Sequence, residues 1–141
     1  MTRRILLAVA CVCTVVTSGA LVGAQALEPI RYTLRFPAPQ TQYVEVEAAI
    51  PSAGRGEVEV YMATWTPGSY LIREYERNVE AVTATAGARA LTVVKSTKNR
   101  WKITTGGAPG VTLRYKVYSR EMTLRKNWVE SEFAMLDGGP T

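Results

Sequence analysis

Apolar residues recur at every second position in segment after segment of this chain, and that period admits strands and excludes helices. Ile30, Tyr32, Leu34 and Phe36 alternate with Arg31, Thr33 and Arg35, the pattern of a half-buried strand. Val44, Val46, Ala48 and Ile50 do the same against Tyr43, Glu45, Glu47 and Ala49. Val58, Val60 and Met62 alternate with Glu57, Glu59 and Tyr61, and Trp101 shares a face with Ile103. The cleanest run is Val111, Leu113, Tyr115 and Val117 against Thr112, Arg114, Lys116 and Tyr118. Val82 to Ala86 and Leu91 to Val94, joined by Gly87-Ala88-Arg89, read as a hairpin. Pro37-Ala38-Pro39, Pro51-Ser52-Ala53-Gly54 and Gly106-Gly107-Ala108-Pro109-Gly110 punctuate the runs, because proline cannot donate to a ladder and glycine weakens one.

Seven or eight short strands with such spacing predict an all-β fold, an antiparallel β-sandwich that buries the alternating faces of two sheets. Met122 and Leu124 are expected to extend a sheet, and Asn127 to Leu136 has no assignable period. The sequence stops at Asp137-Gly138-Gly139-Pro140-Thr141, just after an apolar cluster, which predicts a sandwich incomplete at its C-terminal end.

The first 26 residues stand apart. Met1-Thr2-Arg3-Arg4 is basic, Ile5 to Val16 is apolar, and Ala24-Gln25-Ala26 is a small-x-small cleavage site, the three regions of a secretory signal peptide. The apolar run falls short of the ~20 residues a membrane span needs. Residues 27–141 are expected to be the exported domain, periplasmic or extracellular, with no stable membrane span after cleavage. Both cysteines, Cys11 and Cys13, lie in the leader, so no disulfide can staple the exported part. Arg3 and Arg4 leave with it, and 15 basic residues then face 12 acidic ones, a net charge of +3. These charges are scattered, which argues against a nucleic-acid partner.

Chemistry is narrowed by one absence: the chain has no histidine. His-based triads, His metal ligands and His general bases are therefore excluded. Glu74 and Glu76 read as solvated, ion-paired carboxylates beside Arg73 and Arg77 rather than an acid–base couple. Ser69 follows Gly68 without a nucleophile-elbow pattern. No residue set in the sequence forms an active site. Binding is better supplied. Pro67-Gly68 suits the centre of a type II turn, and Trp65, Tyr70, Tyr75, Arg73 and Glu74 surround it. Trp101 and Tyr115 alternate with core residues and are expected inside, whereas Trp65, Tyr70 and Trp128 fall in or beside loops.

Four blocks together resemble a known family. They are Tyr32-Thr33-Leu34-Arg35-Phe36-Pro37-Ala38-Pro39-Gln40-Thr41-Gln42-Tyr43-Val44-Glu45-Val46-Glu47, then Trp65-Thr66-Pro67-Gly68-Ser69-Tyr70 with Ile72-Arg73-Glu74-Tyr75, then Lys98-Asn99-Arg100-Trp101, and finally Tyr115-Lys116-Val117-Tyr118 leading to Asn127-Trp128-Val129. Their order is similar to the N-terminal domain of the glycyl-aminopeptidase-like zinc peptidases, metallopeptidase family 61. The resemblance implies a β-sandwich domain followed by a thermolysin-like catalytic domain and often a PDZ domain. It also implies zinc, but only in the catalytic domain, since no position here matches the H-E-x-x-H signature. This chain alone is thus expected to be non-catalytic and to hold no cofactor. Its implied partner is the catalytic domain of the same parent protein, with peptide substrate as a second. Trp65, Tyr70, Arg73, Glu74 and Trp128 are the expected domain-interface or substrate-cleft residues. A stand-alone secreted β-sandwich module for a glycan or protein is the alternative, and a purely structural domain the third.

Overall fold

The computed structural model describes residues 28–141, so the leader and its two cysteines lie outside the described residues. Nine strands follow in chain order: β1 (Arg31–Arg35), β2 (Tyr43–Pro51), β3 (Glu57–Tyr61), β4 (Val79–Ala86), β5 (Arg89–Thr97), β6 (Arg100–Thr104), β7 (Gly110–Tyr118), β8 (Trp128–Val129) and β9 (Ala134–Met135). Two 3-10 turns, Pro39–Thr41 and Tyr75–Asn78, are the helical segments among the described residues. Strands β1 to β7 form one antiparallel sheet in the order β1-β2-β7-β4-β5-β6-β3, and β8 pairs with β9 apart from it. The all-β expectation holds. Its two layers, however, are the halves of a single sheet that curls over at the β4–β5 hairpin, where the two strands pair only from Ala84 to Ala86 before separating.

The alternation seen in the sequence decides what faces inward. β2 and β7 pair along nine residues each, from Tyr43↔Tyr118 to Pro51↔Gly110. Their inward Ala48, Ile50, Val111 and Leu113 meet Ala84 of β4 and Ile103 of β6 across the curl. Below this cluster, Val44, Val46 and Val117 pack on Val129 of β8, so the β8–β9 hairpin plugs that end of the sheet. A third cluster joins Met62, Tyr75 and Trp101. Trp101 is core, as its alternation predicts, and Tyr115 packs against all three clusters. The outward faces carry cross-strand ion pairs: Lys116 with Glu45, Arg114 with Glu47 and Arg100 with Glu59. Each such exposed pair is worth a fraction of a kcal/mol, roughly 0.2–1.

Three expectations change. β1 is not half-buried: all five of its residues are exposed, because it is a sheet edge and none of the described residues covers its apolar face. Met122 and Leu124 extend no sheet, and both stand in solvent between Arg120 and Trp128. β4 starts at Val79 rather than Val82, with a bulge between Glu80 and Thr83 that places Ala81 at φ 52°. That left-handed backbone costs an L-residue roughly 1–2 kcal/mol.

Two carboxyls held by such pairs bear on the acid response. Arg114 Nε donates to Glu47 Oε2 at 2.9 Å, and this hydrogen bond holds the Glu47 carboxyl below the usual carboxylate range. Lys126 Nζ and then Arg77 Nη2 do the same for Glu121, at 2.5 and 2.9 Å. A carboxyl depressed by folding binds its proton more readily when unfolded, so its contribution is intact above the unfolded pKa and lost as pH falls through the folded one. Stability should therefore be flat from neutral pH down to about 5 and decline below the ordinary carboxylate range. Urea midpoints measured from pH 7 to 3 check this, and in Glu47→Gln/Glu121→Gln the acid slope should flatten. An unchanged slope would remove these pairs as its cause.

Candidate interaction surface

The segment between β3 and β4 carries a run of exposed large side chains. Met62 anchors its start: the Met62 amide donates to the Asn99 carbonyl at 2.9 Å, and Asn99 Nδ2 donates back to the Met62 carbonyl at 2.8 Å. Thr66-Pro67-Gly68-Ser69 is the expected type II turn, closed by Ser69 N–H to the Thr66 carbonyl at 3.0 Å, with Gly68 at φ 78°. Proline sets the first central position and glycine accepts the positive φ at the second. Arg73 then ties the loop shut. Its amide donates to the Thr64 carbonyl at 2.7 Å and its Nη1 to Ser69 Oγ at 2.8 Å.

The braced loop leaves Tyr70, Leu71 and Ile72 exposed by 90, 64 and 66 %, and Trp65 by 48 %. Isolated exposed apolar residues are ordinary on any surface, whereas a contiguous run on a fixed loop makes a candidate contact surface. Arg125 holds the turn from outside, donating from Nη1 to Thr66 Oγ1 (2.9 Å) and the Pro67 carbonyl (3.1 Å). Gly139 closes on it from the other direction: a Cβ there would lie 2.5 Å from Thr66 Cγ2, so no larger residue fits without displacement. Nothing in the sequence marks Arg125 or Gly139 for this role, because both reach the turn only through the tertiary fold.

Of the five expected interface residues, Trp65, Tyr70 and Arg73 share this loop. Arg73 serves it as an internal brace, a different role from a free cation. Glu74 is turned toward Lys98, which donates to it and holds its carboxyl below the usual range. Trp128 sits elsewhere, on β8, with Arg120 stacked on its ring at 4.9 Å and its Nε1 buried without a hydrogen-bond partner among the described residues. Asn127, next to it, receives the Asp137 amide on Oδ1 (2.8 Å) and donates to Thr141 Oγ1 (2.9 Å), fixing the last residues beneath the turn.

Two neighbours depart from expectation. Glu76 is not solvated like Glu74. It is buried in the 3-10 turn, neither carboxylate oxygen has a hydrogen-bond partner among the described residues, and Lys98 Nζ lies 3.9 Å from Oε1. Tyr75 belongs to the core rather than the surface, 1 % exposed, with its hydroxyl equally unpartnered. A buried hydroxyl without a partner opposes folding by roughly 1–3 kcal/mol. Tyr75→Phe should therefore leave urea stability unchanged or raise it by about 1 kcal/mol. A loss above about 2 kcal/mol would show that the hydroxyl is satisfied.

Chemically, the loop presents apolar and aromatic surface on a rigid frame and no reactive set. Among the described residues no group of three or more acidic or thiol side chains is placed to hold a metal. None of their helices is long and apolar enough to cross a membrane.

The fold and this loop together define an all-β domain that carries an exposed apolar run on a braced connection between two strands. The particular family follows from comparison: the family model described as Peptidase M61 N-terminal domain matches residues 31–141, and the chain belongs to that family. No curated protein matches it. Among solved structures it is similar to an aminopeptidase N family protein from Idiomarina loihiensis, with 25 % identity and a TM-score of 0.67. That match covers 72 % of this chain and 17 % of the other, so the chain spans under a fifth of its structural relative.

Proposed function

We propose that residues 31–141 serve as the non-catalytic N-terminal domain of an exported zinc aminopeptidase-like protein. In this reading the domain packs against a catalytic domain of the same parent polypeptide and shapes the cleft that receives peptide. The observation that carries it is the run Tyr70-Leu71-Ile72, exposed on a loop whose backbone is held at both ends. Order before binding lowers the entropic cost of docking, so such a loop suits a permanent neighbour. Family membership and the likeness to part of a longer aminopeptidase support the same partner. Zinc belongs to the catalytic domain. The donor set here does not fit it, with no histidine in the chain and no metal-holding cluster among the described residues.

The test is reassembly from two pieces. Residues 27–141 and the remaining parent polypeptide, expressed separately, should associate when mixed, as read by calorimetry. Ile72→Asp places a charge in the contact and should weaken association by at least about tenfold, ~1.4 kcal/mol. No association by the unaltered pieces sinks the reading.

A further inference from the structure

Among the described residues the curled sheet ends in two unpaired edges, β1 and β3. Six antiparallel steps separate them, so both edges run in the same direction and cannot pair antiparallel with each other. One more strand, running opposite to both, would give an even number and close the curl as an all-antiparallel barrel, which alone removes sheet edges.

The space for it is already apolar. A cavity of about 430 Å³ opens between the edges, framed by Ile30 and Tyr32 on one side and Val60 and Met62 on the other, over Trp101 and Leu113. Close-packed interiors hold few voids larger than a water, so this volume is unfinished core. Tyr32 remains 60 % exposed although it lies on the apolar side of its strand. Thr141 lines the same cavity. Tyr115 Oη donates to its carbonyl at 2.7 Å, and its own hydroxyl donates to the Asp137 carbonyl at 2.7 Å. Polypeptide continuing from Thr141 would thus start inside the cleft.

We infer that the segment of the parent polypeptide following Thr141 enters this cleft as an added strand between β1 and β3. It pairs antiparallel with each edge and puts an apolar side chain into the cavity at every second position. β1 and β3 are five residues each, which sets the length of pairing on both sides. Its outward positions run between Arg31 and Arg35 on β1 and Glu57 and Glu59 on β3, a row that takes polar or charged side chains. This rests on the proposed function, which supplies the longer polypeptide.

Amide hydrogen exchange, compared between the 141-residue chain and the parent polypeptide, tests it. The outer amides of β1 and β3 should exchange about 100-fold more slowly in the parent. Tyr32→Asp in the parent should return both edges to fast exchange while the amides of Val44 and Val117 stay protected. Fast edges in the parent beside a newly protected 65–73 loop would overturn the added strand and leave domain docking intact. Unchanged exchange at both places would overturn both. A reading frame closing at Thr141 would also overturn the inference. So would edge protection appearing in the 141-residue chain together with a doubled mass in solution, which would give the cleft to a second copy.

Discussion

Trp101→Ala should lower the unfolding free energy of the domain by about 3–5 kcal/mol. Trp101 is 8 % exposed, packs with Met62 and Tyr75, and carries Lys95 over its ring at 5.2 Å. It also floors the open cavity, so alanine would join a new void to an existing one with nothing able to collapse into it. Without a disulfide among the described residues, the domain rests on burial, and its total stability is on the order of 5–15 kcal/mol. The loss should show as a large drop in the urea midpoint with an unchanged slope. Trp65→Ala is the control: at 48 % exposure it should cost less than about 1 kcal/mol. Equal losses from both would mean that the core and surface aromatics have been misassigned.

Tyr70→Ala, made in a parent polypeptide that carries the catalytic domain, should reduce kcat/KM for peptide hydrolysis about tenfold, ~1.4 kcal/mol of transition-state stabilisation. Tyr70 is 90 % exposed, so its removal buries or uncovers little within the domain and should leave the stability of residues 27–141 untouched. An effect on turnover would then report the surface the loop faces. Arg73→Ala is a less pure probe, since it releases Ser69 and loosens the loop itself. Its effect on turnover should be at least as large, with greater mobility of residues 64–73. Unchanged kinetics in both variants would take the loop out of the cleft.

β2, β3 and β7 were legible because strand alternation is written locally, and each inward residue named from the pattern lies in or against the core. The Pro67-Gly68 turn was legible for the same reason, since both residues declare their own φ. What the pattern hides depends on partners distant in sequence. Tyr32 and Leu34 alternate like core residues yet stay exposed, because burial needs an opposing layer as well as an apolar face. Ala81 gives no hint of its bulge, which is set by the registers of Val79 and Thr83 against β7. Glu74 and Glu76 look equivalent in sequence, but a 3-10 turn sends one to solvent and the other inside. Asn127 to Leu136 has no period because its two strands are two residues each, held by their pairing with each other and by the burial of Val129.

Peptide hydrolysis per mole of protein, assayed on the purified chain ending at Thr141 and on the same chain mixed with the separately made catalytic part, tests the central claim most directly. The account predicts no turnover from the chain alone, and turnover from the mixture that rises with added domain until the partners are saturated. Turnover by the chain alone, or a mixture no more active than its catalytic part, would contradict it.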